Sequence, residues 1–330
     1  MNIDPVEVIF LERTEGSKVG SSFPKYYKYR YDKNPKKLLE KALRKNYLTE
    51  SDYEFNMYQA TNAELKDVLR KYDLKVSGVK NELVDRLLSN VDEKDLKSIF
   101  TDSYYKLTDS GKEIINSNEH LIYYHKNQKL YGISLEDYNK AFKENEDLNK
   151  YEVALEIIEN NALKNRAEGD WGLYRNSFLS MADVYIDMDN NEKALECLLK
   201  VCHIDLSGLS NNNGYTPSII ILAPGILRKV NNVISNLDYT ESDLEDLYFP
   251  LAEKLDLPKE RYSKEQSFEY IIEAMNVGVD EVNEKIEEEN KDLSSQIIDN
   301  DFSGNKRDTN KSTNNDNEGV FSLLIKKFFK

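Results

Sequence analysis

The sequence predicts a mainly α-helical protein, with a small α+β part at the front and an α-helical array behind it. Three observations predict this class. Residues 60–90 carry two apolar stripes at helical spacing, one on each side of a glycine. From about Ser134 the chain runs in long helical patterns with short breaks. Apolar or alternating runs short enough for strands, such as Val6–Leu11, Tyr27–Tyr31 and Leu121–His125, fall within the first 130 residues. A length of 330 residues suits two or three domains, and 22 tyrosines supply bulk for real cores.

Residues 1–22 read as an N-terminal segment and linker. Val6–Leu11 is a strand or a docking peptide, and the Gly/Ser-rich stretch 15–22 is flexible. Residues 23–130 read as a small mixed domain. It opens on a cationic run: across 23–50, nine Lys and Arg face three Asp and Glu, with Tyr26, Tyr27, Tyr29, Tyr31 and Tyr47 interleaved. Cations with stackable rings suit a nucleic-acid strand, with Lys28 and Arg30 as candidate contacts. The same run reads equally as an alternating strand, Tyr27-Lys28-Tyr29-Arg30-Tyr31, that buries one face. Pro35 then starts a helix whose apolar face is Leu38, Leu39, Ala42 and Leu43.

The two stripes of 60–90 come next. Leu65, Val68, Leu69 and Tyr72 fall at i, i+3, i+4 and i+7, and Leu83, Val84, Leu87 and Leu88 form the second face. Thr61 or Asn62 caps the first helix. Gly78 stands where the chain must reverse, because glycine takes positive φ at little cost. The pattern Leu65, Leu69, Leu74, Ser77-Gly78-Val79-Lys80, Glu82-Leu83 and Arg86-Leu87 resembles the SAP domain, a small helix-loop-helix that binds DNA. Modules of this kind resemble those of bacterial and prophage-encoded proteins.

The resemblance implies that DNA is gripped by the glycine loop and the start of the second helix. That assigns Ser77, Gly78 and Lys80 to the contact, with Lys66, Arg70 and Lys75 extending it where they share a face. Free N–H groups at a helix start attract phosphate, and Lys80 adds a point charge. Residues 60–90 carry six cations against five anions. Phosphate affinity scales with the cations presented, so DNA binding is expected to be weak and salt-sensitive. Without DNA, the same hairpin packs on its neighbours or binds protein.

A short helix is expected over 93–100. Tyr105-Lys106-Leu107-Thr108-Asp109-Ser110-Gly111 reads as a strand running into a capped helix, and resembles that element of winged-helix proteins. Leu121–His125 reads as a strand that closes the mixed domain.

Residues 131–282 read as a helical domain. Phe178, Met181, Ala182, Tyr185, Ala194, Leu198 and Val201 fall on the spacing of a tetratricopeptide repeat, and the region resembles one. Small residues at 182 and 194 let two antiparallel helices approach, Asp189-Asn190-Asn191 supplies the turn, and Trp171 anchors the repeat's core. One repeat cannot bury both faces alone. The helix from Tyr151 to Leu163 and those near 226–236, 242–255 and 267–275 must complete the array. Such arrays offer a groove to a protein or peptide partner; a plain helical domain with no partner is the equal alternative.

Residues 283–318 gain Glu, Asn, Asp and Ser, and read as a frayed helix and then a disordered acidic, Asn-rich linker. Residues 319–330 form a basic amphipathic tail. Phe321, Leu324, Ile325 and Phe328 make its stripe, beside Lys326, Lys327 and Lys330. Such a tethered segment lies on a membrane surface or enters a groove, its own or a partner's. The groove is the preferred reading.

The net charge of −15 is uneven. Residues 1–130 carry 23 cations and 21 anions, and residues 131–330 carry 22 and 39. An acidic rear repels DNA and confines it to the front. Two cysteines exclude a disulfide framework. No stretch approaches the ~20 apolar residues of a membrane span, and the N-terminus lacks a secretory pattern. A cytoplasmic protein is expected. Catalytic motifs are missing: there is no phosphate-binding Gly-x4-Gly-Lys-Ser/Thr, Gly-x-Gly-x-x-Gly or Gly-x-Ser-x-Gly. His120 and His125 are poorly spaced for one helix face. Cys197, Cys202 and His203 lack the second ligand pair that zinc wants. No metal, no cofactor and no enzyme activity are expected. The sequence thus points to a non-enzymatic DNA-binding adaptor. The alternative is a protein-interaction scaffold whose hairpin is only structural.

Overall fold

The computed structural model describes residues 3–127, 133–145, 147–209 and 215–303. The chain is mainly α-helical. Its front holds α1 (Pro5–Thr14), α2 (Tyr26–Tyr31), α3 (Pro35–Arg44), β1 (Leu48–Glu50), α4 (Tyr53–Gln59), α5 (Asn62–Lys71), α6 (Lys80–Asn90) and α7 (Glu93–Ile99). Then come β2 (Tyr105–Leu107), α8 (Asp109–Asn116), α9 (Glu119–Lys126) and α10 (Leu135–Glu144). The rear is α11 (Lys150–Glu168), α12 (Trp171–Asp187), α13 (Asn191–Ser207), a 3-10 turn at Pro217–Ile219, α14 (Pro224–Ile234), α15 (Glu241–Leu255), α16 (Lys264–Asn276) and α17 (Val279–Ser303).

Several expected strands are helices. Val6–Leu11 lies in α1, which Asp4 caps at 2.9 Å from the Val6 amide and which Pro5 opens. Its residues Val6 to Leu11 are all buried. A helix apolar on every side shows no stripe, so a six-residue run reads as a strand. Tyr27–Tyr31 is the end of α2. Tyr27 is buried and Tyr29 is 79% exposed, and Tyr27 and Tyr31 meet because i and i+4 share a helix face. Leu121–His125 belongs to α9, with Leu121 and Tyr124 turned inward at i and i+3. The strand-into-helix reading of 105–111 holds. Thr108 follows β2 and caps α8, accepting from the Gly111 amide at 3.1 Å.

The Gly/Ser-rich stretch is not loose. Gly16 N–H donates to the Tyr105 carbonyl at 2.8 Å, Tyr105 N–H to Ser17 at 2.9 Å, and Val19 N–H to Ser103 at 2.8 Å. The acidic run from 283 is also ordered at its start, because α17 continues to Ser303. Ile286 and Asn290 are buried on it, and the Asn290 amide donates to the Tyr262 hydroxyl at 2.9 Å. Residues 304–330, with the expected tail, lie outside the described residues.

Apolar side chains gather in two cores. The larger runs from Val6 through the β pair to Ile286. The smaller is made by Met57, Leu65, Leu69, Leu83, Val84, Leu87, Val91, Leu96 and Phe100, all within 53–100. This second body is spliced between two antiparallel strands, with Leu48 opposite Leu107 and Glu50 opposite Tyr105. The chain enters through β1 and leaves through β2. Ser51 N–H donates to the Tyr104 carbonyl at 2.8 Å, and the Asn56 amide to the Phe100 carbonyl at 3.2 Å, which fastens the neck.

At the rear, α12 and α13 form an antiparallel pair. Asp189 takes a left-handed φ of 58° in the turn, and Asn190 caps α13 at 3.1 Å from the Lys193 amide. Ala182 and Ala194 are fully buried, as close helix approach requires. Cys197 and Cys202 are buried thiols, held up in pKa by burial.

The three histidines are packing residues. His203 bonds the Tyr248 hydroxyl at 2.7 Å and Glu260 at 3.1 Å. His120 stacks on Phe142 with ring centres 3.9 Å apart and bonds Asn139. His125 bonds the Tyr31 hydroxyl at 2.8 Å. Burial lowers all three pKa values from 6.5. A histidine with a lowered folded pKa leaves the unfolded chain holding more protons below pH 6.5. Stability is therefore lost as pH falls from that point. The effect is led by His203, whose side chain is 1% exposed; a fully excluded proton is worth ~1.4 kcal/mol per pH unit. Urea midpoints at pH 5.5 should lie below those at pH 7.5, and the His203→Gln chain should show a flatter profile. Equal midpoints at both pH values would contradict this account.

Candidate nucleic-acid interface

The hairpin of α5 and α6 is built from local rules. Thr61 accepts from the Glu64 amide at 3.2 Å while Glu64 accepts from the Thr61 amide at 2.6 Å, a reciprocal capping box. Leu65 and Leu69 pack inward from α5, and Leu83, Val84 and Leu87 meet them from α6. Between the helices, Asp73 turns the chain at a φ of 55°. The residues that follow lead to α6, whose first residue, Lys80, is close enough to the start of α5 to act electrostatically on Glu64.

Gly78 has a φ of 130°, outside what side-chain-bearing residues adopt. A Cβ there would also sit 2.3 Å from Glu82 Oε2. Val79 holds the cap position of α6 but has no acceptor on its side chain. Glu82 compensates by accepting from the Val79 amide at 3.2 Å. Alanine at 78 is expected to cost about 1–3 kcal/mol through backbone strain. Hydrogen exchange in α5 and α6 measures it; unchanged protection would contradict it.

The bend faces outward. Ser77, Gly78 and Val79 are exposed, Val79 by 66%. The amides of Lys80, Asn81 and Glu82, the first turn of α6, have no acceptor among the described residues. Orphan donors at the positive end of a helix dipole favour an anion. Lys80 begins α6 beside them. Arg86, two turns on, donates to the carbonyls of Lys75 and Ser77, the latter at 3.1 Å. It thereby ties the loop to α6 and fixes the bend's direction.

The expected contacts divide among three places. Lys75, Ser77, Gly78 and Lys80 lie along the loop and its exit. Lys66 and Arg70 share a face of α5 at i and i+4. Arg70 is engaged by Asp67 at 2.5 Å, an exposed pair that releases easily. The ammonium groups of Lys66, Lys75 and Lys80 have no ion-pair partner among the described residues. Lys28 and Arg30 are elsewhere, on α2, which belongs to the larger core. Lys28 pairs with Asp32, and Arg30 lies 5.4 Å from the centre of the Tyr31 ring. The tail residues Phe321, Leu324, Ile325 and Phe328 lie outside the described residues.

The sequence pattern includes Glu82 and Arg86 without assigning either a role, and the structure gives each one. The available signal is positional. A glutamate three residues after a cap position is half of a capping box. Glu82 also puts a carboxylate beside these donors, where like charge opposes an incoming anion. Among the described residues no group of three or more His, Cys, Asp or Glu is placed to hold a metal ion. No described helix is long and apolar enough to cross a membrane.

Compared with known families, residues 61–92 match the SAP domain, a DNA-binding kind of module. The match spans the capping threonine, both helices and the glycine bend. No curated protein matches the chain.

Proposed function

We propose that the chain is a non-enzymatic DNA-binding adaptor. The hairpin holds the phosphate backbone, and the helical rear recruits a protein. The observation that carries the reading is the exposed Ser77-Gly78-Val79 bend. It opens three unbonded amides and the Lys80 ammonium to solvent, on a body displayed beyond a two-stranded neck. Phosphate oxygens bond those amides, Lys80 supplies the charge, and Lys66 and Lys75 widen the contact. The proposed contacts go to phosphate, which positions a protein on the duplex without reading its sequence. The tetratricopeptide-like pair supports the second half of the reading. Tyr174, Phe178, Met181 and Tyr185 line a groove of about 370 Å³ beside α11, and Leu163 is 66% exposed at its edge.

The test is a gel-shift titration across salt. Two to four phosphate contacts give a slope of roughly −2 to −4 in log affinity against log salt. Lys80→Glu should lower affinity by about tenfold or more and flatten that slope. Binding that is undetectable at low ionic strength, or indifferent to Lys80→Glu, would return the hairpin to a structural role. Partners retained after nuclease treatment and hairpin charge reversal would then favour the scaffold.

A further inference from the structure

A second groove, unconnected with the hairpin, runs between the 218–221 strip and α17. It measures about 700 Å³. Its apolar side is Ile219 and Ile221, 44% and 50% exposed. Its other side is Asp280, Glu284 and Glu287, all exposed on α17 and without an ion-pair partner among the described residues. The floor is fixed. Asn283 accepts from the Leu222 amide at 2.9 Å and donates to the Leu222 carbonyl at 3.0 Å, which clamps the strip to the helix. Val282 and Ile286 are buried beneath. The nearby Lys285 is engaged by Glu273 at 2.8 Å and does not neutralise the acidic wall.

We propose that this groove is the docking site of the chain's own C-terminal segment, residues 319–330. Charge decides the match. The segment pairs an apolar stripe, Phe321, Leu324, Ile325 and Phe328, with Lys326, Lys327 and Lys330. An isoleucine edge facing three carboxylates complements both halves. The groove beside α11 does not, because Lys193 and Lys200 balance Glu159 and Glu196 there.

Reach permits the fold-back. From Glu287 to Ser303, α17 advances about 24 Å at 1.5 Å per residue. The 17 residues of 304–320 span up to about 56 Å when extended. Tethering supplies the affinity that a twelve-residue segment lacks. An attached ligand experiences roughly millimolar effective concentration, so docking within the chain is favoured even where the free peptide binds weakly.

Hydrogen exchange on the full-length chain tests this. Amides of 319–330 and of 218–222 should exchange about tenfold more slowly than in a full-length Leu324→Ser/Ile325→Ser/Phe328→Ser chain. The groove variant Glu284→Lys/Glu287→Lys changes two exposed residues, so the fold tolerates it. It should release the tail to the same extent, as should raised salt. A synthetic 319–330 peptide should protect the groove of the serine variant and not that of the unmodified chain. Unprotected tail amides in the unmodified chain would overturn the proposal. So would protection that survives the groove variant, that is lost in Lys193→Glu/Lys200→Glu instead, or that grows with protein concentration. Tail amides protected only with anionic vesicles would assign the segment to membranes.

Discussion

Replacing Gly111 with valine is expected to destabilise the protein by about 3 kcal/mol or more, and to do so at the neck that carries the hairpin. A Cβ at Gly111 would stand 2.2 Å from the Tyr47 carbonyl oxygen and 2.9 Å from Leu107 Cδ2. The first obstacle is backbone and cannot swing aside. The start of α8 must lift from the 46–48 segment. That breaks the bonds from the Thr108 hydroxyl to the Asn46 carbonyl at 2.6 Å, from the Ser110 hydroxyl to the same oxygen at 3.0 Å, and from the Thr108 amide to Tyr47 at 3.1 Å. Each is worth about 1 kcal/mol. Since β1 begins at Leu48 and faces Leu107, the damage reaches both strands. Gly111→Ala should show most of the loss, because the first added carbon already clashes. Urea unfolding reads the loss, and an alanine variant within about 0.5 kcal/mol of the parent would refute the argument. Exchange protection inside 53–100 should persist, because that body has its own core.

Where structure was legible in this sequence, its cause is local. The α5–Gly78–α6 unit is readable because apolar spacing, a threonine cap and one glycine all lie within thirty residues. The α13 to α16 helices are readable for the same reason. The failures have non-local causes. The 16–19 ribbon is ordered by Ser103 and Tyr105, residues far along the chain, so its Gly/Ser composition suggests only flexibility. The start of the acidic run past 283 is held by Leu222, Tyr262 and the 3-10 turn, none of which its composition announces. Tyrosine alternation imitates a strand in α2 because Tyr27 and Tyr31 are also one helical turn apart. At the candidate site, Ser77, Gly78 and Lys80 are found by pattern. Glu82 is found by its place three residues after the cap position. The strut from Arg86 depends on the loop's return path, which spacing does not encode.

Arg175 should be as sensitive as the neck. Its Nε and Nη2 donate to Asp205 Oδ1 and Oδ2 at 2.9 and 2.6 Å, with side chains only 14% and 7% exposed. The forked pair ties the beginning of α12 to the end of α13, at the open end opposite the Asp189 turn. Arg175→Leu takes the cation from a buried carboxylate and should cost about 3–5 kcal/mol, whereas replacing both partners with apolar residues is often close to neutral. The Arg175→Leu/Asp205→Leu chain should therefore recover most of the loss. Arg175→Lys should recover part of it, because an ammonium cannot reproduce the bidentate fork. A carboxylate stripped of its cation has a raised folded pKa, so the folded state binds more protons. The deficit of Arg175→Leu relative to the parent should then shrink as pH falls through the carboxylate range. Urea unfolding of the four chains at two pH values measures all of this. If the single leucine variant matches the double at neutral pH, the Asp205 carboxylate is solvated in the folded protein. The pair would then be dispensable for closing the helices whose other faces line the groove at Tyr174 and Phe178.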